Sequence, residues 1–268
     1  MSALPAGPIA EIVEDATSEY FAYLGLVNGR TVCRRPEIVC APSGSDYYRI
    51  MRARFPVSEA DGIIGRITAR LDARGADGVW YLSPMSAPEL SDILPMHGFS
   101  YLKDWKSMAI GLTGPLPAGT APPGLEIRMA ERRADLDAWA GVMLAGFGFD
   151  DPGSEAFGRF VAARGTTAGV GQRHYLGVLD GRPVATAALV LGRAAAGAYW
   201  VSTLPDARGR GAATAMMGHV LREAKAAGYG VVTLNATGAG HPLYSRMGFA
   251  DCFTTAIYHR PPGGVAEK

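Results

Sequence analysis

Apolar positions along this chain switch repeatedly between a helical period and strict alternation, and the switches mark its elements. Ile12, Val13, Ala16, Tyr20, Phe21 and Leu24 share one broad face and predict a helix over 10–25. Two strand-like runs follow, 35–41 and 47–54, separated by the turn Pro42-Ser43-Gly44-Ser45. Ser58 is placed to cap a helix reaching to about Arg74, with Glu59 and Asp61 in its first turn. A short buried strand is expected at 79–82, a helix at 87–97 closed by Gly98, and a strand at 103–111.

Periodicity then fails. Residues 112–124, L-T-G-P-L-P-A-G-T-A-P-P-G, are dominated by proline and glycine and read as a linker. This places a domain boundary there, with one domain over 1–111 and another over 125–268. Beyond it the pattern restarts with a strand at 125–129 and a helix at 134–146 that buries Leu136, Trp139, Ala140, Met143 and Leu144. A second helix at 154–164 packs Phe157, Phe160 and Val161. Strands at 175–179 and 183–191 form a hairpin about Asp180-Gly181, a dipeptide suited to positive φ. Strands at 196–203, 231–234 and 252–259 and a short helix at 242–247 complete the half. The order β-α-α-β-β-β-α-β-α-β describes an α/β fold, a mixed sheet with helices on its faces.

Between the strand ending at Thr203 and the next helix lies Arg208-Gly209-Arg210-Gly211. The helix beyond buries Ala213, Met216, Met217, Val220, Leu221 and Ala224 at helical spacing, with His219 expected on the opposite face. A glycine turn at a helix N-terminus presents unpaired N–H groups and partial positive charge to an anion. The two glycines admit close approach, and the arginines add forked donors suited to phosphate oxygens. Thr214 stands where a dinucleotide fingerprint wants Gly or Ala, and Ala212-Ala213 stands where a P-loop wants Lys-Ser/Thr, so neither motif applies.

The spacing Arg208-x-x-Gly211-x-Ala213 after V-S-T-L-P resembles the acyl-CoA-binding motif of the GNAT (Gcn5-related N-acetyltransferase) superfamily. Asn235 and then H-P-L-Y-S-R-M-G-F, with Tyr244 four residues before Gly248-Phe249, resemble that family's second motif. M-H-G-F at 96–99 echoes M-G-F at 247–249 in a matching strand–helix–strand run. The whole chain therefore resembles a tandem GNAT protein, two GNAT-like domains, each a mixed and mostly antiparallel sheet flanked by helices. The first copy is degenerate: it lacks the glycine turn, and Leu94 stands in the place of the tyrosine. Its expected role is support of the sheet or cover of the substrate side, without CoA.

The resemblance implies an acyl-CoA-dependent N-acyltransferase moving acetyl from acetyl-CoA, or another acyl-CoA, to a small-molecule amine. The pyrophosphate would lie on amides from Gly209 through Gly211, Ala212 and Ala213 to Thr214, beside Arg208 and Arg210. Pantetheine would pair with the backbone of Val201 and Thr203 in a slot between two splayed strands and would touch Asn235. A backbone N–H near Val201 would face the oxyanion, and Tyr244 would return a proton to the CoA sulfur. The strand before the turn has no carboxylate, so the general base stays open among His174, Asp150, Asp151, Glu155 and His241. The acceptor pocket is expected from the 146–160 region, Tyr199, Trp200 and part of the first copy. A longer or carrier-bound acyl donor, given the small residues around the slot, and a non-catalytic acyl-CoA-binding module are the competing readings.

Composition narrows this further. The 268 residues are 48% hydrophobic with formal net charge +1, which supports a real core and no nucleic-acid footprint. Cys33, Cys40 and Cys252 lack metal-ligand spacing, so no metal is expected, and their sparseness points to a reducing compartment. No signal peptide or membrane span is indicated, which places the expected protein in the cytoplasm as a monomer or homodimer.

Overall fold

The computed structural model describes residues 6–44, 47–117, 121–150, 154–163, 166, 167 and 169–264. α1 (Ala6–Val27) opens the chain. β1 (Cys33–Arg35) and β2 (Ile38–Pro42) follow as a tight hairpin where one strand was expected. Pro36, which has no N–H to give to a ladder, turns the chain there. β3 (Tyr47–Met51), α2 (Val57–Asp72) and β4 (Asp77–Leu82) form a strand–helix–strand unit whose strands are parallel. Pro56, not Ser58, holds the cap position of α2, and Ser58 lies within the first turn. α3 (Leu90–Met96) and β5 (Ser100–Gly111) end the first half.

In the second half β6 (Leu125–Met129) leads to α4 (Arg133–Phe147), α5 (Ser154–Val161) and the two-residue β7 (Thr166–Thr167). β8 (Val170–Leu179) and β9 (Arg182–Leu191) make the expected hairpin, with φ of 50° at Asp180 and 81° at Gly181. β10 (Ala196–Thr203), α6 (Ala212–Ala226) and β11 (Val231–Ala236) form a second parallel unit, followed by α7 (His241–Arg246) and β12 (Ala250–Arg260). Between β5 and β6 the described residues 112–117 and 121–124 carry neither helix nor strand.

All these strands join one sheet, in the order β1-β2-β3-β4-β12-β5-β11-β10-β9-β8-β6, with β7 beside β8. Each half is a mixed, mostly antiparallel sheet flanked by helices, but the last strands are exchanged. β12 pairs with β4, and β5 pairs with β11, while β5 and β12 pair with each other along the middle. Linear pattern could not show this, because alternation fixes which face a residue takes and not which strand lies beside it.

Alternation along each strand divides the core into layers. Val39, Val79, Tyr81, Ala188 and Ile257 join α1, α4 and α5 on one face. On the other face Ile38, Trp80 and Tyr258 pack with α2 and α3, and Ala185, Ala187 and Leu189 pack with α6 and α7. Helix α1 spans the seam: Tyr20 stacks on Tyr199 at 4.0 Å between centroids, and buried Glu19 binds Arg193.

The internal echo is structural as well as sequential. Gly98 and Gly248 take φ of 81° and 88°, and Phe99 and Phe249 are buried beyond them. The Phe99 N–H donates to Leu94 O at 3.1 Å, and the Phe249 N–H donates to Tyr244 O at 3.0 Å. This is the same left-handed helix ending in both copies, and it makes Leu94 the positional counterpart of Tyr244.

Because each half lacks its own last strand, the fragments 1–117 and 121–268 should not fold singly. Produced apart, each is expected to show no cooperative thermal transition by circular dichroism, and mixing them should restore one. A cooperative transition in either fragment alone would show that the exchange is dispensable.

Candidate active site

The site begins where β10 leaves β11. The two strands pair only at Ala196↔Val232 and Gly197↔Thr233. Beyond that point β11 continues its register with β5 through Asn235↔Ser107 and Ala236↔Lys106, while β10 follows β9. The divergence is driven by a bulge: the β10–β9 register shifts between Tyr199 and Ser202, and Trp200 takes φ of 52°. The Thr186 hydroxyl locks the bulge by donating to Trp200 O at 2.8 Å. Val201 and Thr203 thus have no strand partner on the β11 side among the described residues. An extended amide-bearing chain can add to such an edge as a strand would.

β10 then runs into a short 3₁₀ turn, Pro205–Ala207, and the glycine turn. Gly209 and Gly211 adopt φ of 73° and 88°, a conformation that L side chains resist. α6 starts at Ala212 with Gly211 as N-cap. No side chain caps it, and its first turn has no acidic residue, so the amides of Ala212, Ala213 and Thr214 are left for another acceptor. Arg210 is exposed beside them. Arg208 is also exposed, but its guanidinium turns back and donates to Thr203 O at 3.1 Å and to Gly146 O at 2.8 Å. It ties the end of β10 to the end of α4, a positioning role that sequence reading missed.

Asn235 is half-buried and held from both sides by the first half of the chain. Its amide donates to Thr17 Oγ1 at 3.0 Å, and its carbonyl oxygen accepts from Ser107 Oγ at 2.9 Å. Trp200 donates to the Tyr20 hydroxyl and packs against Phe147 and Phe157. The 146–160 region, Trp200 and α1 therefore meet at one place. No periodicity in 10–25 could have told Thr17 and Tyr20 from ordinary face residues.

Tyr244, on α7, is 9% exposed and belongs to the apolar cluster that includes Ala207, Ala212 and Leu234. Burial pushes its phenol up to about 12. Of the candidate bases, His174 is fully buried under Trp139, with Nε2 within 2.6 Å of the Gln172 amide nitrogen, and is a core residue. Its place on β8 is inward-facing. Glu155 is exposed and pairs with Arg159 at 3.6 Å, and His241 pairs with Asp251 at 2.8 Å. Asp150 is exposed, and Asp151 lies outside the described residues. His219 rests half-buried on the Tyr175 ring at 4.6 Å.

A parallel strand pair thus opens into a slot, with a bulge at its mouth and an uncapped helix N-terminus below it. Residues 171–251 match the family model for the acetyltransferase (GNAT) domain. This chain carries a GNAT acetyltransferase domain. A GCN5-related N-acetyltransferase from Kribbella flavida is similar over 97% of this chain and 97% of its own, with TM-score 0.67 and 19% identity. One from Sphaerobacter thermophilus is similar over 86% and 78%, with TM-score 0.66 and 18% identity. A tandem GNAT protein from the clavulanic acid biosynthesis pathway is similar over 98% of both chains, with TM-score 0.55 and 13% identity. At these identities the structural likeness speaks to fold, and it extends the GNAT fold to both halves. No curated protein sequence matches the chain. Among the described residues no helix is long and apolar enough to cross a membrane, and no three His, Cys, Asp or Glu side chains gather as a metal group.

The slot depends on close approach of α4 to β10. A Cβ added at Gly146 would come within 2.9 Å of Ser202 Cβ and 3.4 Å of Thr203 N. Gly146→Ala is therefore expected to cost about 1–3 kcal/mol, as overpacking does, seen as a lower denaturant midpoint. An unchanged midpoint would mean that the two elements separate without strain.

Proposed function

We propose that this GNAT acetyltransferase transfers an acyl group, acetyl from acetyl-CoA in the first instance, to the amine of a small molecule. One observation carries the reading: the unpaired edge of β10 leads directly into the uncapped N-terminus of α6. A pantetheine arm, which carries amides, suits the first, and a pyrophosphate suits the second. In this reading Val201 and Thr203 pair with the arm. The amides from Gly209 to Thr214, with Arg210, take the phosphates. Arg208 holds the turn in place while keeping its charge near them.

The chemistry follows from these positions. A neutral amine attacks the thioester carbonyl carbon, and the oxyanion that forms is met by the backbone N–H near Val201. Collapse breaks the carbon–sulfur bond, and Tyr244 gives its proton to the leaving thiolate. A phenol raised to about 12 stays protonated throughout the working range, as a donor must. The amine's proton leaves through water. The acceptor would approach past Trp200, Phe147 and Phe157, an aromatic surface beside buried α1, which favours a small acceptor with an apolar portion over a polycation.

Calorimetric titration with acetyl-CoA tests the cradle. One site per chain is expected, weakened at least about tenfold in Arg208→Ala/Arg210→Ala, in keeping with the loss of charge-assisted contacts. Two sites would assign CoA binding to the first half as well, and no binding would overturn the reading. Tyr244→Phe should leave acetyl-CoA affinity near wild type and lower kcat by about 10²–10⁴-fold; an unchanged kcat would remove Tyr244 from the acid role.

The pH dependence has a definite sign. Because the folded-state value of Tyr244 is raised to about 12 from an ordinary 10, its contribution to stability is complete below pH 10 and is lost between about 10 and 12. Stability scans of wild type and Tyr244→Phe should therefore run parallel below pH 10, with wild type losing stability relative to the variant above it. A relative loss that begins at lower pH would contradict a neutral buried phenol.

A further inference from the structure

A cavity of about 860 Å³ lies away from the acyl-transfer slot, bounded by α2 on one side and by β1, β2 and β3 on the other. That size is typical of small-molecule sites. No residue of β4 lines it, so it is not the first half's counterpart of the slot between β10 and β11. It instead corresponds to the place where α6 packs down on β9 and β10 in the second half.

The two halves fill that place differently for a visible reason. In the second half alanines at 185 and 187 let Met216, Met217 and Val220 pack against the sheet. In the first half α2 sits close at β4, where a Cβ on Gly78 would meet Leu71 Cδ1 at 2.6 Å, and stands away from β1 and β2. Ile38, Ile50 and Phe55 make the floor of the wedge, and Ile63 and Ile67 on α2 make its apolar wall. Ile63 and Ile67 remain half-buried.

The rim is predominantly basic. Arg30, Arg35, Arg54, Arg66, Arg70 and Arg74 line the cavity, against Glu37 and Glu59. Arg54 is committed to Glu14 and to Glu11, and Arg35 stands 4.0 Å from Glu37. Arg74 donates to Arg70 O at 3.1 Å. Among the described residues Arg30, Arg66, Arg70 and Arg74 have no ion pair. On α2, Arg66 and Arg70 alternate with Ile63 and Ile67 at helical spacing, so charge and apolar surface face the same space.

We propose that this wedge is a second ligand site, specific for an amphipathic organic anion: an apolar body seated against Ile63 and Ile67, with a carboxylate or phosphate held by Arg66 and Arg70. The guanidinium fork matches both headgroups, and the apolar floor excludes a bare inorganic ion as the fitting ligand. The site is independent of acyl transfer, since none of its residues belongs to the slot or to the α6 turn.

The test uses the full chain and calorimetry with dodecanoate and dodecyl phosphate, each below its micelle concentration. At least one of the two should bind at a site lost in Arg66→Ala/Arg70→Ala, with affinity reduced by at least about tenfold. The stronger of the two identifies the headgroup. A second variant, Ile63→Phe/Ile67→Phe, fills the apolar wall without touching charge and should also abolish binding. Acetyl-CoA titration should be unchanged in both variants, which also shows that they are folded. Absence of binding by both probes would overturn the proposal. So would equal binding of dodecyltrimethylammonium, which would show apolar affinity alone. Equal binding of inorganic phosphate would overturn the amphipathic ligand, and binding lost only in Arg208→Ala/Arg210→Ala would place the probe in the acyl-transfer slot.

Discussion

The antiparallel pairing of β5 with β12 at the centre of the sheet is the contact on which the rest depends. Each of these strands belongs by sequence to one half and pairs outward with the other. Ser107, at their middle, bonds Thr255 on β12 and Asn235 on β11 at 3.0 and 2.9 Å, so one hydroxyl joins three strands. The slot needs this arrangement. Once β11 parts from β10, β5 still holds its other edge from Val231↔Gly111 to Ala236↔Lys106 and keeps the strand in the sheet. A wall of the catalytic domain is thus built on a strand from the half without the motif.

This gives the degenerate half a physical function. It has lost the glycine turn, and Leu94 replaces tyrosine, yet it contributes β5, the Thr17 partner of Asn235 and the Tyr20 partner of Trp200. The parallel pair β3 and β4 keeps the βαβ geometry of the working half. Having neither the glycine turn nor the tyrosine in one copy while keeping its sheet costs little, because packing and register are set by apolar alternation that the motif does not touch. The same freedom opened a different space between α2 and β1–β3, where side chains no longer constrained by sheet packing could become basic.

The electrostatics of the two regions contrast usefully. At the proposed acyl-transfer site, fixed backbone dipoles at the start of α6 carry positive potential, and Arg208 holds the loop to Gly146 and Thr203. In the wedge the positive charge comes from arginine side chains, Arg66 and Arg70 among them on one face of α2. Preorganised dipoles suit a ligand bound in a single pose for chemistry. Long flexible side chains over an apolar floor suit recognition of a class of anions.

Pattern and turn chemistry decided much of this molecule. The limits of β6 and β10, the Asp180-Gly181 turn, the positive φ at Gly209 and Gly211 and the doubled Gly-Phe helix endings are local matters. They follow from which residues tolerate which backbone angles and from apolar spacing. The two copies were legible for the same reason. Tertiary structure alone decided which strand lies beside which, and so the exchange of β5 and β12. It decided that His174 faces the core, since a histidine on a strand can face either side until register is known. It turned Arg208 back onto Thr203 and Gly146, and it set α1 across the seam, where Thr17 meets Asn235 and Tyr20 meets Trp200. The strand exchange and the place of α1 rest on contacts between residues more than a hundred positions apart, and the settings of His174 and Arg208 on contacts with Trp139 and Gly146 in other elements; none of these is encoded in local period.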